Sequence, residues 1–250
     1  MKLILGCAAF SGQPYGRNIT AVPTEEVDRI IESAIACGIT AFDTSPAYGM
    51  AENRLCKFLT KDMTVYSKHP HDAKPRDIYT SLGKLLPATV VLLAHNLEYE
   101  RDLPAWAAGY SGYAIDTPRE PGPIAQLDCS IINRDAVDME MDIICRSVFA
   151  QGVLCGVAAP NKVVEDMQQR AHDLADVLNI PLPALALQWA LQQENIKGVV
   201  IGPTSVSELL DIVAWSKLTV QPLKHFVELL PSDSAVMDCR TWKEAVCASG

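Results

Sequence analysis

Short apolar runs alternate along this chain with longer stretches in which apolar residues recur every three or four positions. Eight short runs read as strands, at residues 3–8, 40–45, 65–68, 90–95, 107–111, 124–128, 142–147 and 198–202. Several are nearly continuous in hydrophobic residues, as expected for parallel strands buried on both faces. Val27, Ile30, Ile31, Ala34 and Ile35 mark one face of a helix over 24–37. Thr24 stands where a cap is expected, Glu25 and Glu26 fall in the first turn, and Gly38 ends the helix. The same periodicity predicts helices over 163–178, 183–193 and 206–215. Pro181 and Pro183 punctuate the gap between the first two, and Gly202-Pro203-Thr204-Ser205 leads into the last.

Alternating strand and helix patterns argue for parallel βα units. Eight strands in 250 residues argue for an α/β fold of the closed (β/α)8, or TIM-barrel, type rather than an open sheet. A single domain over 1–250, with trimmed loops, is the simplest organisation. The fifth unit is expected to be short and irregular, because only residues 112–122 separate its strand from the next and Pro118 and Pro121 interrupt them. The tail beyond Lys217 is expected across the outside or bottom of the barrel.

Composition narrows the function. Hydrophobic residues make up 49% and charged residues 20%, which excludes a disordered chain. The formal net charge of −9, with no run of Lys and Arg, speaks against nucleic acid as a partner. The apolar runs are too short for a membrane span, and the one at the N-terminus ends too soon for a signal peptide. The eight cysteines are scattered without a CxxC pair, so no zinc site or disulfide framework is expected. Free thiols acting as small hydrophobes imply a reducing, cytoplasmic compartment.

In barrels of this kind the chemistry lies at the C-terminal ends of the strands. That rule selects Asp43 near the end of the second strand, Tyr48 in the loop after it, Lys68 ending the third and His95 ending the fourth. Singly, each has an ordinary explanation: a turn former, a half-buried packing residue, a solvated cation, a structural hydrogen-bonding group. Together they suit the reduction of a carbonyl. The developing alkoxide needs a proton, and a tyrosine can give it if an ammonium stabilises the phenolate. A carboxylate holds that ammonium, and an imidazole orients the carbonyl oxygen.

The segment Asp43-Thr44-Ser45-Pro46-Ala47-Tyr48-Gly49-Met50-Ala51-Glu52 resembles the aldo-keto reductase signature, Asp-Thr/Ser-x-x-x-Tyr-Gly-x-x-Glu. The order Asp, Tyr, Lys, His across successive strands is similar to that family's tetrad. The opening Leu5-Gly6-Cys7-Ala8-Ala9-Phe10 with Pro14-Tyr15-Gly16, the segment 145–154, and Ala186-Leu187-Gln188-Trp189-Ala190-Leu191 with Val200-Ile201-Gly202 extend the resemblance to about Trp215. It is closest to short bacterial members.

The resemblance implies a barrel enzyme that uses NADP or NAD, bound extended across the mouth without a Rossmann fingerprint; the chain has no GxGxxG. It implies catalytic roles for Asp43, Tyr48, Lys68 and His95, with Tyr48 as general acid/base and Asp43 also touching the nicotinamide ribose. Gln126 and Ser111 match the residues that bond the carboxamide, and Arg146 the residue against the nicotinamide face. Ser147, Phe149 and Gln151 would line the pyrophosphate path. Gly202, Thr204 and Ser205, at the entry to the following helix, would hold the adenosine phosphate.

The chain departs from the family pattern at that end. Members that prefer the 2′-phosphorylated cofactor place a cation around Thr204 and near Glu208, and neither is basic here. Ile212, Gly112 and Ser130 stand where the family has Asn. The expected activity is oxidoreduction between a small carbonyl or sugar and its alcohol. The alternative is a non-catalytic barrel of the same family that binds a nucleotide or a partner subunit. A lyase or isomerase using Lys68 as a Schiff base would leave Tyr48 and His95 without a shared role. Trp106, Tyr110 and Tyr113 are expected in core packing or near an open mouth.

Overall fold

In a computed structural model, which describes residues 2–14, 20–95, 104–117 and 124–242, eight parallel strands close into a barrel in chain order. They are β1 (Lys2–Gly6), β2 (Ala41–Thr44), β3 (Thr64–Pro70), β4 (Thr89–His95), β5 (Gly109–Gly112), β6 (Ile124–Asp128), β7 (Ile143–Arg146) and β8 (Ile196–Ile201). The barrel shuts where Leu5 of β1 pairs with Ile201 of β8. All eight strands expected from the apolar runs are present, shifted by at most two residues at their ends.

Alternation along the strands divides the buried side chains into two layers. One set, Ile4, Ala41 and Ile144 with Tyr66, Ile124 and Val200, forms a cluster of its own. The other faces the helices and makes the main core, which includes Leu5, Phe42, Val65, Leu127, Cys145 and Val199. The second layer is covered by α1 (Thr24–Ala36), α2 (Ala51–Leu55), α3 (Pro75–Leu85), α4 (Lys162–Val177), α5 (Leu182–Leu191) and α6 (Val206–Ser216). Helix α5 lies between α4 and α6 against β8, and eight of its ten residues are buried. That explains why its apolar residues show no one-sided stripe.

Several local expectations are corrected. Thr24 is not the cap of α1. Pro23 takes the extended boundary position, Thr24 is already helical, and its hydroxyl accepts from Arg54 Nη2 at 2.9 Å. Helices α2 and α3 were not legible as periodic segments. The first has five residues, and the second starts at Pro75 and contains Gly83. Irregularity extends beyond the fifth unit. The only helical turn after β5 among the described residues is the 3-10 turn Ala114–Asp116, and the β6–β7 connection carries only the 3-10 turn Asp135–Asp138. Pro118, Pro121, Tyr15, Gly16 and Cys247 lie outside the described residues.

The tail starts at the expected end of the barrel, where Leu223 N donates to Gln192 Oε1 at 2.8 Å beside the α5–β8 turn. It then climbs the outside. Short helices α7 (Lys224–Val227) and α8 (Ser234–Met237) lead it past the β6–β7 connection, where Arg134 Nη2 donates to Leu230 O at 2.9 Å. It ends against the loops at the C-terminal ends of the strands, a location the sequence reading did not foresee. Among the described residues no single helix is long and apolar enough to cross a membrane.

Strand β5 depends on a close approach. Gly109 pairs with Ile124, and a Cβ there would fall 2.1 Å from the Ile124 carbonyl oxygen. Gly109→Ala therefore forces β5 away from β6, and the expected loss of about 1–3 kcal/mol is measurable by urea denaturation.

Candidate active site

The alternation that fills the barrel interior also builds its mouth. Ala41, Tyr66, Ile124 and Ile144 contribute to the inner cluster. Two residues further along the same strands, on the same face, stand Asp43, Lys68, Gln126 and Arg146. Lys68 and Asp43 are 2% and 4% exposed, and the Lys68 ammonium donates to both carboxylate oxygens. A buried ammonium with one carboxylate still has desolvation to offset. Here the carboxylate also accepts from Gln126 Nε2 at 2.6 Å, and Gln126 Oε1 accepts from Ser111 Oγ at 3.0 Å. Four side chains from β2, β3, β5 and β6 thus form one connected polar floor.

Tyr48 and His95 stand around that floor. Lys68 Nζ lies 5.0 Å from the centroid of the Tyr48 ring. The Tyr48 and His95 rings meet edge to face with centroids 6.1 Å apart. The four residues selected from the ends of three strands and one loop therefore converge. Burial, reinforced by the Lys68 charge, pushes His95 down from its ordinary value of 6.5 to about 4. At neutral pH it is an uncharged imidazole with one N–H donor and one acceptor nitrogen. Cys7 lies beneath, fully buried, and desolvation together with the Asp43 charge drives its thiol far above the usual range. It is a filler rather than a nucleophile.

A second network, on the opposite face of β3, holds Lys68 in place. Ser45 Oγ donates to Lys68 O at 2.7 Å and accepts from Ala47 N at 3.2 Å, tying β3 to the turn that carries Tyr48. Glu52, 2% exposed, accepts from Ser81 Oγ at 2.5 Å and from Ser67 Oγ at 3.5 Å, and Lys84 approaches at 3.8 Å. Ser67 also meets His69 Nε2 at 3.2 Å, and His69 packs edge-on against Trp106. After Tyr48, Gly49 takes φ +51°, where a Cβ would fall 2.7 Å from Ser11 O. The sequence reading gave Ser45 and Glu52 no role of their own; a carboxylate three residues after a turn glycine and beside an apolar run was the available signal.

Across the mouth, Arg146 ends β7. Its guanidinium donates to Gly112 O at 2.6 Å and lies 4.5 Å from the centroid of the Tyr113 ring. Arg240, from the tail, lies 4.0 Å from the centroid of the same ring. It is held by Asp238 and by Asp116 at 2.7 Å each. A crevice there is lined by Arg146, Ser147, Gln151, Met237, Cys239 and Trp242. Ser147 and Gln151 adopt φ +56° and +55°, and Gln151 Nε2 donates to Ser147 Oγ at 3.2 Å. Left-handed non-glycine residues cluster where a loop is held for a purpose. The rings of Phe149 and Trp215 of α6 pack edge to face, with centroids 6.4 Å apart. Tyr113 sits at the mouth, whereas Tyr110 packs against the core and donates to Met141 Sδ at 3.7 Å.

The remaining predicted residues lie at the start of α6. Gly202 is exposed, and Thr204 and Ser205 are half-buried. Ser205 caps the helix, its Oγ accepting from Glu208 N at 3.2 Å. Glu208 Oε2 accepts from Thr204 N at 2.7 Å and from Thr204 Oγ1 at 3.0 Å. Glu26 of α1 accepts from Val206 N at 2.9 Å. As a cradle for NAD(P) the site is uneven. Ser111, Gln126 and Arg146 offer the hydroxyl, amide and planar cation that suit a carboxamide and an aromatic ring. At the α6 end, Thr204 N and Val206 N are already taken by Glu208 and Glu26, and Glu26 pairs with Arg29 at 2.5 Å. Among the described residues no group of three or more His, Cys, Asp or Glu could hold a metal ion.

Residues 2–86, from β1 to the end of α3, match the family model described as "Aldo/keto reductase family". The barrel is similar to the solved structure of the aldo-keto reductase AKR11C1 from Bacillus halodurans in its holo form. The TM-score is 0.72, with 17% sequence identity over 93% of each chain. The apo form of the same protein gives a TM-score of 0.67 at 17% identity over 93% of this chain and 92% of that one. These similarities show the fold. No curated protein matches the chain by sequence.

The depressed His95 value makes a pH prediction. The folded state resists protonating His95, so stability falls as pH drops from about 6.5 toward about 4. His95→Asn removes that part of the slope. Urea midpoints at several pH values between 7 and 4.5 check it; His69, lowered by its own burial, keeps its share in the variant.

Proposed function

We propose that this aldo-keto reductase barrel is an NAD(P)-dependent oxidoreductase that interconverts a small carbonyl compound or sugar and its alcohol, with Tyr48 as general acid/base. The reading rests on one observation above all: a Lys68 ammonium buried on Asp43 and 5.0 Å from the Tyr48 ring, with the His95 ring edge to face with it at 6.1 Å. A dinucleotide held there would supply or take up the hydride at the substrate carbon. Tyr48 gives a proton to the substrate oxygen in reduction and removes it in oxidation. Lys68 stabilises the phenolate left behind, and Asp43 fixes Lys68. His95, uncharged, hydrogen-bonds the substrate oxygen without competing for the proton.

Ser111 and Gln126 would hold the carboxamide, Arg146 the ring face, and Ser147, Phe149 and Gln151 the pyrophosphate. Gly202, Thr204 and Ser205 would meet the adenosine end. Seven free cysteines among the described residues accord with a reducing, cytoplasmic setting. The non-catalytic reading draws on the carboxylates at the start of α6 and predicts no turnover with any carbonyl.

The test is Tyr48→Phe, assayed by cofactor absorbance across a panel of aldehydes, ketones and sugars. Turnover is expected to fall roughly 10²–10⁴-fold while cofactor binding persists. Turnover equal to that of the unmodified protein overturns the assignment of Tyr48.

A further inference from the structure

Tyr48 reaches the mouth on a tight turn. Tyr48 N donates to Ser45 O at 2.9 Å and closes Ser45-Pro46-Ala47-Tyr48, with Pro46 in the second position, where its fixed φ favours a bend. The turn interrupts the sheet. Strands β2 and β3 pair from Ala41 with Thr64 to Thr44 with Ser67, and the pairing stops there. One step further, Lys68 would stand opposite Ser45, and in a parallel ladder its carbonyl would accept from the N–H of residue 46. Residue 46 is proline and has no N–H. The ladder therefore ends one residue short of the one that carries the ammonium.

Ser45 supplies the missing donor. Its hydroxyl donates to Lys68 O at 2.7 Å and accepts from Ala47 N at 3.2 Å, while its own carbonyl accepts from Tyr48 N. At 1% exposure the residue is shut off from solvent, so a Lys68 carbonyl without it would lose its partner. One residue thus joins the Lys68 peptide to the turn that carries Tyr48. On its other side Lys68 pairs with Leu93 of β4, which has no part in that turn. The Tyr48 ring is met by Lys68 Nζ and by the His95 ring; Asp43 holds the ammonium, and the charge of Arg146 reaches His95.

We propose that Ser45 is a positioning residue for the proton transfer: its hydroxyl, standing in for the N–H that Pro46 lacks, sets the Lys68 backbone relative to the Tyr48 turn. The proposal rests on the oxidoreductase reading above and adds a residue that acts through Lys68 and Tyr48 rather than on the substrate. Without the hydroxyl, Lys68 O and Ala47 N are left unpaired in a buried place, and the strand end and the turn are free to separate. An ammonium further from the phenol stabilises the phenolate less, so the phenol keeps its proton to higher pH. Oxidation needs the phenolate and reduction the phenol, so in both directions the Tyr48 limb of the pH profile moves upward. Threonine at this position keeps the donor.

The experiment compares the full chain with Ser45→Ala, Ser45→Thr and Tyr48→Phe. Ultraviolet titration of tyrosinate isolates Tyr48 as the signal absent from Tyr48→Phe, and kcat and KM are followed against pH. In Ser45→Ala the Tyr48 midpoint is expected to rise by about half a pH unit or more. Turnover is expected to fall roughly tenfold, with KM for the carbonyl compound nearly unchanged. Ser45→Thr is expected to restore both. Ser45→Cys, close in size and a weaker donor, gives a smaller shift in the same direction and serves if Ser45→Ala does not fold. A folded Ser45→Ala with the parent's Tyr48 midpoint overturns the proposal. Equal changes in folded Ser45→Ala and Ser45→Thr assign the effect to packing at residue 45 and also overturn it. A parent that turns over no carbonyl, while the Tyr48 midpoint still moves in Ser45→Ala, overturns the oxidoreductase reading and upholds the positioning.

Discussion

The buried ion pair of Lys68 and Asp43 is the constraint around which the mouth is organised. Two charges taken out of water are tolerated only with good geometry and further hydrogen bonds, and losing one partner strands the other. Asp43 meets that demand with Lys68 on one side and Gln126 on the other, and Ser111 completes the chain. Each comes from the C-terminal end of a different strand. The pair therefore ties the strand register of half the barrel to a single electrostatic requirement. A slip of one residue in β2 or β3 would turn one charge into the apolar layer beneath the helices.

The outer face of β3 shows how such a pair is kept from drifting. Ser67 and His69 flank Lys68 on the other face, where Ser67 donates to the buried carboxylate of Glu52 and meets His69. Ser45 holds the Lys68 carbonyl from the neighbouring loop. Polar residues that look misplaced in an apolar layer are in fact paired with one another. Their effect is to fix the backbone that carries the ammonium.

The strands were legible because burial on both faces leaves a run of apolar residues that survives in the sequence. Asp43, Lys68 and His95 were legible for the complementary reason: a charged or polar residue at the end of such a run is conspicuous. Helices α2 and α3 were not, since five residues give no period and Pro75 with Gly83 disguises the other. Glu52 was hidden because its burial depends on Ser67 and Ser81, which are distant in sequence. Glu26 was read only as a first-turn acid of its own helix. That it reaches the start of α6, 180 residues away, is a fact of tertiary packing with no local signature. The tail's course was missed for the same reason, since Arg240 finds Asp116 and Tyr113 only once the barrel has closed.

That tail adds a second source of side chains to the same mouth. The polar floor of Asp43, Lys68, Ser111 and Gln126 is made by the barrel's own strands, whereas the wall over Arg146 is made partly by Met237, Cys239 and Trp242 from outside the strand ladder. Changes of residue in the ladder are coupled to closure and register; this wall is tied to the barrel through Met237 in the core and Arg240 on Asp116. The shape of the opening beside Arg146 is thus set by a segment distant in sequence from the strands that carry Asp43, Lys68 and Gln126.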